Sequence, residues 1–362
     1  MKMLSDPRPG RAPPGEPTGM LRGLWYYAVP GHRVGRGKML HRTLLGEPVL
    51  IGRDHAGRAF ALRDICPHRG IPLSYGRLRD SEVTCCYHGW RFDTAGHCTH
   101  IPSLVEGQKF EVSRIAVRAY PLHEAQGNIW IFMDDDPPAA DAHARPPVPH
   151  VPEVGDAGPD MVRTVRFACP MDDAVIGLMD PAHGPFVHQA WWWRGAASIH
   201  AKEKRFGPSH LGFKMLRHTP SRNSFLYRLM GGHPETEIIF QLPGIRIERV
   251  RAGDRLVCGV TAVTPVSESE TDVHHAVSWN LPWMTPLLPL WKLVAKRFID
   301  QDRRVVELQQ QGLKHAPRLM LINDADTQAK WYYQCKREFA KARAEGRGFV
   351  NPVPETTLRW RS

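Results

Sequence analysis

Apolar residues in the first third of the chain come in short clusters cut every few positions by turn formers. That pattern predicts strands rather than helices. Leu24-Trp25-Tyr26-Tyr27-Ala28-Val29 opens the ordered part as a dense apolar patch, and Met39 to Leu45, Pro48 to Arg53 and Ala59 to Asp64 follow as β-rich segments. The turn signals Gly46-Glu47 and Asp54 to Gly57 separate them. Phe110 to Val117 and Asn128 to Met133 read as two further strands that close a small all-β domain over residues 20–135. Residues 1–19 are too poor in apolar surface to offset the entropy of ordering, which predicts a disordered leader.

From Asp134 to Asp160 prolines crowd the chain. They remove backbone donors and favour extended backbone, so residues 136–160 are expected to form a linker or a strap laid over the surface. Beyond it, in residues 161–362, alternation returns. Val162 to Cys169 reads as an opening strand, and the six segments His210 to Arg217, Ser224 to Leu229, Thr236 to Leu242, Ile245 to Val250, Arg255 to Thr264 and Asp272 to Trp279 predict one antiparallel sheet. The period changes at Pro289 to Gln311, where Trp291, Val294, Phe298, Val305 and Val306 trace an apolar helical face able to pack across that sheet. The fold class expected is α+β, an all-β domain followed by a helix-over-sheet domain.

Composition narrows the function classes. At 362 residues and 42% hydrophobic content the chain can bury a core in each of two domains. Lys and Arg number 48 against 37 Asp and Glu, a net charge of +11, yet no block of like charge and no nucleic-acid motif appears. A basic surface, or docking of an acidic electron-donor protein, is the reading left. Seven cysteines do not make a secreted disulfide framework, no apolar run reaches membrane-spanning length, and a cytoplasmic location is expected.

Two clusters carry the chemistry. The first is Cys66-Pro67-His68, sixteen residues, then Cys85-Cys86-Tyr87-His88, a set of two thiolates and two imidazoles. Zinc would accept the same ligands, although zinc pairs usually stand two to four residues apart rather than one. The pattern resembles the Rieske [2Fe-2S] fingerprint, in which two cysteines hold one iron and two histidines the other. Gly70, Gly76 and Gly89 would allow the tight loops such a cluster needs, and Pro72 and Trp90 would stiffen them. Cys86 stands where that family usually has proline, which raises the question of which sulfur binds.

The second cluster runs from Asp180 through His183 to His188. Pro181 suits the first turn of a helix, on which Asp180 and His183 would share a face. The chain would then break at Gly184-Pro185 and swing His188 back. Alone, these would be two ordinary histidines near a loop. The order of Rieske motif, linker and Asp-x-x-His-x-x-x-x-His, however, resembles the large subunit of the Rieske non-haem iron oxygenases over nearly the whole chain from about residue 21.

That resemblance implies a helix-grip catalytic domain and a mononuclear Fe(II) held by His183, His188 and a distant acid, with positions left for O₂. It makes Asp180 the carboxylate bridging to a Rieske histidine of the next subunit in a homotrimer. Asp302 is the acid expected, because it lies on the apolar stripe of the late helix and Gln-Asp-Arg-Arg-Val-Val-Glu resembles the family segment there. Asp300, Glu307 and Asp324 are the alternatives, and a salt bridge to a neighbouring Arg is the plain structural role for Asp302. Gly177 occupies a position where the family usually has Asn.

Trp191, Trp192 and Trp193 cannot all face one core, so at least one would line a pocket or cover its mouth, or else all serve packing. Arg194 would meet a substrate anion or solvent; Arg69, Arg77, Arg79 and Arg91 would form a solvated rim or dock a ferredoxin or flavin reductase. The layout is similar to the monooxygenase and O-demethylase branch, such as vanillate and dicamba demethylases. It implies electrons from NAD(P)H by way of a reductase, and hydroxylation or demethylation of an apolar aromatic or polycyclic compound. A ring dioxygenase, a sterol-type oxygenase, a bare Rieske electron carrier and a catalytically silent binding protein are the alternatives.

Overall fold

The computed structural model describes residues 19–135, 145–188, 199–220 and 230–362. One of its two compact units, the first, is Arg22–Gly158, so residues 145–158 of the proline-rich stretch belong with it, while Pro159 and Asp160 belong with the second unit. In the first unit Pro146 accepts a hydrogen bond from the Trp25 indole (2.7 Å), and the Val151 and Val154 carbonyls both accept from the Gln126 amide. The leader through residue 18, the stretch 136–144 and the expected strand at Ser224 to Leu229 lie outside the described residues.

The first unit is built from β1 (Leu24–Pro30), β2 (Lys38–Leu44), β3 (Glu47–Arg53), β4 (Ala59–Arg63), β5 (Arg77–Arg79), β6 (Glu82–Thr84), β7 (Arg91–Asp93), β8 (Cys98–His100), β9 (Leu122–Ala125) and β10 (Asn128–Met133). They form three antiparallel sheets ordered β1-β10-β9, β2-β3-β4 and β5-β6-β7-β8. Every residue of β1 and β10 is buried, which is why both read as continuous apolar runs rather than as alternation. Tyr27 packs edge-on against Trp130 at 5.4 Å, and its hydroxyl donates to Asn128 Oδ1 at 2.9 Å.

The strand expected at Phe110 to Val117 does not form. Phe110 is exposed, Val112–Arg114 make a 3₁₀ turn, and the pairing partner of β10 is β9, joined to it through Gln126 and Gly127, both at positive φ. Leu-His-Glu-Ala offers too weak an alternation to announce a strand.

The second unit is an eight-stranded antiparallel sheet, β11 (Met161–Phe167), β12 (Ala201–Ser209), β13 (Gly212–His218), β14 (Glu235–Gln241), β15 (Ile245–Ala252), β16 (Arg255–Pro265), β17 (Thr271–Trp279) and β18 (Thr356–Arg361). Their order is β11-β17-β16-β15-β14-β13-β12-β18. β12 and β18 extend the sheet beyond the strands expected from alternation. Among the described residues four helices accompany it: α1 (Met171–Met179), α2 (Gly184–Val187), α3 (Leu288–Leu313) and α4 (Thr327–Ala344). Trp331 of α4 lies edge-on to Phe206 of β12 and Phe213 of β13, at 5.6 and 5.3 Å. The α+β class expected from the periodicities is the one observed.

Lys336 of α4 fastens that helix to α1. It is 2% exposed, and its ammonium donates to both carboxylate oxygens of Asp172 at 2.7 and 2.6 Å, while the Tyr332 hydroxyl donates to the same carboxylate at 2.7 Å. Removing one partner of a buried ion pair strands the other. Lys336→Ala should therefore destabilise the domain by about 3–5 kcal/mol, a loss that denaturant unfolding would measure.

Candidate metal centres

In the first unit two loops repeat one hydrogen-bond plan. Cys66 N–H donates to the Ile71 carbonyl (2.8 Å) and Gly70 N–H to the Cys66 carbonyl (2.9 Å). Five residues spanned the same way, Cys85 N–H donates to Trp90 (2.8 Å) and Gly89 N–H to Cys85 (3.1 Å). Gly70 and Gly89 occupy equivalent places at φ +72° and +70°, where a side chain would be strained. The carboxylate of Asp64, 1% exposed, pins the first loop by accepting from Ser74 N–H and Oγ–H at 2.7 and 2.6 Å, with His41 Nδ1 at 2.7 Å.

These loops sort the four expected ligands by polarity. Cys66 and Cys85 are buried in the hydrophobic core with Leu50, Phe60, Leu73 and Phe92. Burial pushes the Cys66 thiol up to about 11, and hydrogen bonding with Cys85 adds to the rise. The His68 and His88 rings lie 4.5 Å apart on the wetter side, His88 being exposed, and the Trp90 indole stacks on His68 at 4.5 Å. Cys86 is exposed, so the sulfur that accompanies Cys66 in the core is that of Cys85.

Two thiols and two imidazoles, presented as separate pairs, are a donor set that suits two irons of different ligation. The Trp90 indole N–H is buried without an acceptor among the described residues, and an inorganic sulfide is a group that would accept from it.

In the second unit α1 ends at Asp180, whose Oδ1 accepts from Ala182 N–H at 2.7 Å. Pro181 thus lies in the bend after a helix, not in the first turn of one. Pro185 sits in the first turn of α2, where its missing N–H is no loss, so Gly184-Pro185 begins a turn instead of breaking one. That short turn still returns His188 to His183. α3 supplies the third member: Asp302, 6% exposed, shares its buried stripe with Ile299, Val306 and Leu313. Val305, expected on that stripe, is 45% exposed, because the observed stripe follows Ile299 rather than Phe298.

His183 Nε2, His188 Nε2 and Asp302 Oδ1 form a triangle with sides of 3.3, 3.4 and 3.3 Å. The outer ring nitrogens explain what faces inward. His183 Nδ1 lies 2.8 Å from the Asp180 backbone carbonyl and His188 Nδ1 lies 3.0 Å from Gln301 Oε1, so each Nδ1–H donates outward and each Nε2 presents a lone pair. Three electron-rich atoms converging on one point repel unless a proton or a metal cation joins them. Donors about 2.1 Å from a common metal ion stand roughly 3.3 Å apart at near-tetrahedral angles, which the triangle matches. Phe298 stacks on the His188 ring at 3.7 Å and 14°, fixing its plane.

Electrostatics divide the two imidazoles. Burial acts to lower the pKa of His183, but the hydrogen bond and charge of Asp302 outweigh it and leave it raised; burial lowers His188 outright. Asp180 Oδ2 stands 3.8 Å from His183 Nδ1, and burial raises its pKa.

The alternative acids are engaged elsewhere. Asp300 pairs with Arg303 (3.3 Å), Glu307 accepts from Ala168 N–H (3.3 Å), and Asp324 accepts from Arg359 N–H (3.0 Å). Gly177 sits where α1 meets α3, and a Cβ there would come within 3.0 Å of Val306 Cγ2. Gln301, the orienting partner of His188, was not foreseen: only its place beside Asp302 hints at it. Trp191, Trp192, Trp193 and Arg194 lie outside the described residues.

Comparison with known proteins joins the two halves. Residues 24–121 match the Rieske [2Fe-2S] domain and residues 176–334 the vanillate O-demethylase oxygenase C-terminal domain. Chlorophyllide a oxygenase, chloroplastic, of Chlamydomonas reinhardtii is 28% identical over 310 residues, 80% of this chain and 44% of that protein. The oxygenase component of dicamba O-demethylase from Stenotrophomonas maltophilia is 36% identical over 174 residues, 47% of this chain and 48% of that one. The chain thus spans less than half the length of these curated relatives. A crystal structure of dicamba monooxygenase bound to dicamba superposes with a TM-score of 0.71 at 25% identity, covering 91% of this chain and 99% of that one. With a Rieske domain in its first unit, an oxygenase domain in its second and this likeness along nine-tenths of its length, the chain belongs to the Rieske non-haem iron oxygenases.

Proposed function

We propose that the protein is a terminal oxygenase that hydroxylates or oxidatively demethylates an apolar aromatic or polycyclic substrate. Electrons would reach it singly from NAD(P)H through a flavin reductase, a ferredoxin or both. The observation that carries this reading is the triangle of His183, His188 and Asp302, three donor atoms converging on one point with the spacing a bound metal ion would need. They would hold Fe(II), while Cys66 with Cys85 and His68 with His88 would hold the two irons of the cluster. When bound, the cluster supplies single electrons and the ferrous ion activates dioxygen.

The protein's own contribution is placement. Gln301 and the Asp180 carbonyl hold both imidazoles in the tautomer that frees Nε2, and Phe298 fixes one ring plane. Keeping the cysteine pair in the apolar core shields it from water, while His68 and His88 stand nearer the surface where a donor protein can approach. Asp180, half-buried and beside His183, gains from a hydrogen-bond donor set against it. We assign it as the link between the two centres across protomers of a homotrimer.

The relatives compared above are, by name, an O-demethylase and an oxygenase of chlorophyllide, which favours ether cleavage or hydroxylation of a flat aromatic framework. No described helix is long and apolar enough to cross a membrane. Seven free cysteines favour a reducing compartment, and we place the protein in the cytoplasm.

Turnover decides the reading. Iron-loaded protein, mixed with NADH, a surrogate reductase and ferredoxin, is screened for oxygen uptake over phenolic ethers, polycyclic aromatics and sterols. Uptake that depends on substrate, with label from ¹⁸O₂ in the product, is expected. Zinc in the Cys/His loops, or no substrate-dependent uptake by fully loaded protein, refutes it.

A further inference from the structure

We propose that the stretch from Pro282 to Arg297 seats the protein on the surface of an anionic phospholipid bilayer, lying on the membrane without spanning it. A 3₁₀ turn (Pro282–Leu287) runs directly into the first turns of α3, and four large apolar side chains of this stretch reach solvent. Trp283 is 36% exposed, Leu287 41%, and Leu290 and Leu293 48% each. The Trp283 ring stays beside the helix, edge-on to Trp291 at 6.3 Å. Leu290, Leu293 and Arg297 fall at i, i+3 and i+7, one line along the outer face of α3. Apolar residues scattered singly over a surface need no account, but four this close together mark a contact site.

The surroundings say what covers it. No Asp or Glu occurs between Asp272 and Asp300, whereas Lys292, Lys296 and Arg297 fall in that interval and all three are exposed. Leucines and an indole set among cations with long apolar stems suit the boundary between acyl chains and headgroups of an anionic membrane. There the leucines enter, the indole settles at the interface and the cations reach lipid phosphates. A second copy of the chain fits worse, because a self-complementary contact would press these three cations against their counterparts. Backbone chemistry points the same way. Pro282, Pro286 and Pro289 carry no N–H, and Pro289 lies in the first turn of α3, where a donor would have no partner within the helix. A segment with fewer bare donors loses less on entering a medium that cannot hydrogen-bond.

The patch lies close to the chemistry. At 1.5 Å per residue, the helix from Leu293 to Asp302 spans about 14 Å, so docking keeps the metal triangle near the lipid. On the oxygenase reading above, an apolar substrate dissolved in the bilayer would be concentrated beside the site that consumes it. Membrane binding itself does not depend on that reading.

The full-length, iron-loaded chain is floated with vesicles of phosphatidylcholine, alone or mixed with phosphatidylglycerol. Binding is expected to the mixed vesicles, weakening as salt is raised, and at least about tenfold weaker to phosphatidylcholine alone. Leu290→Glu combined with Leu293→Glu should cut affinity about tenfold or more, and so should Lys292→Ala combined with Lys296→Ala. Both variants should keep the wild-type melting temperature, since the positions are exposed; should the leucine pair misfold, the lysine pair decides. No binding to mixed vesicles, or binding that neither variant weakens, overturns the proposal. So does a wild-type oligomer that the leucine variant breaks into smaller species, which makes the patch a subunit interface. Loss of reductase-driven turnover in that variant, with no vesicle binding by the wild type, overturns it too and makes the patch a site for the donor protein. Flotation needs no turnover: an active protein that ignores vesicles sinks this proposal alone, whereas one that binds them with every substrate inert sinks only the oxygenase reading.

Discussion

Asp302→Ala is expected to remove the mononuclear iron and reduce turnover to background while leaving the Rieske signal intact. Asp302 is the one anion of the triangle, and its carboxylate oxygen stands 3.4 and 3.3 Å from the two imidazole nitrogens. Even an outer partner of a metal ligand is worth roughly 10–100-fold in affinity, so loss of the carboxylate itself should exceed about 100-fold. Iron content should drop from about three atoms per chain to about two, as read by elemental analysis. Retention of three irons, or a collapse of the fold, would assign Asp302 a structural role.

The second large effect separates two adjacent thiols. Cys85→Ser should abolish the cluster, with its visible absorption and its electron paramagnetic resonance after reduction, since Cys85 shares the apolar core with Cys66. Cys86→Ser should alter neither, and stability should move by no more than about 0.5 kcal/mol, because Cys86 is exposed. Both variants losing the cluster, or Cys86→Ser alone losing it, would reverse the assignment of sulfur.

What could be read from the bare chain follows from how local each signal is. The Cys/His spacing and the alternation of β13 to β17 are short-range, and they led to the α+β architecture observed. Asp302 was legible because a carboxylate on an apolar helical stripe needs a reason to be there. Its neighbours on that stripe were legible only in part: Val306 is buried there as expected, but Ile299 replaces Phe298 as the buried marker, and Phe298 turns instead to His188. The strands β9, β12 and β18 carry too many polar residues to announce themselves, and they are strands because of the partners they meet. Gln301 was invisible for a related reason. A glutamine acquires significance only from what lies opposite it in space.

A single stretch of α3, residues 298–302, gives Phe298 to one face of the His188 ring, Gln301 to its Nδ1 and Asp302 to its Nε2. Anyone reshaping this enzyme for a new compound should handle those five residues as one cassette. Sliding the helix by a single position would rotate all three groups about 100° away together, so variation aimed at specificity is better spent on neighbouring strands and loops than on this turn.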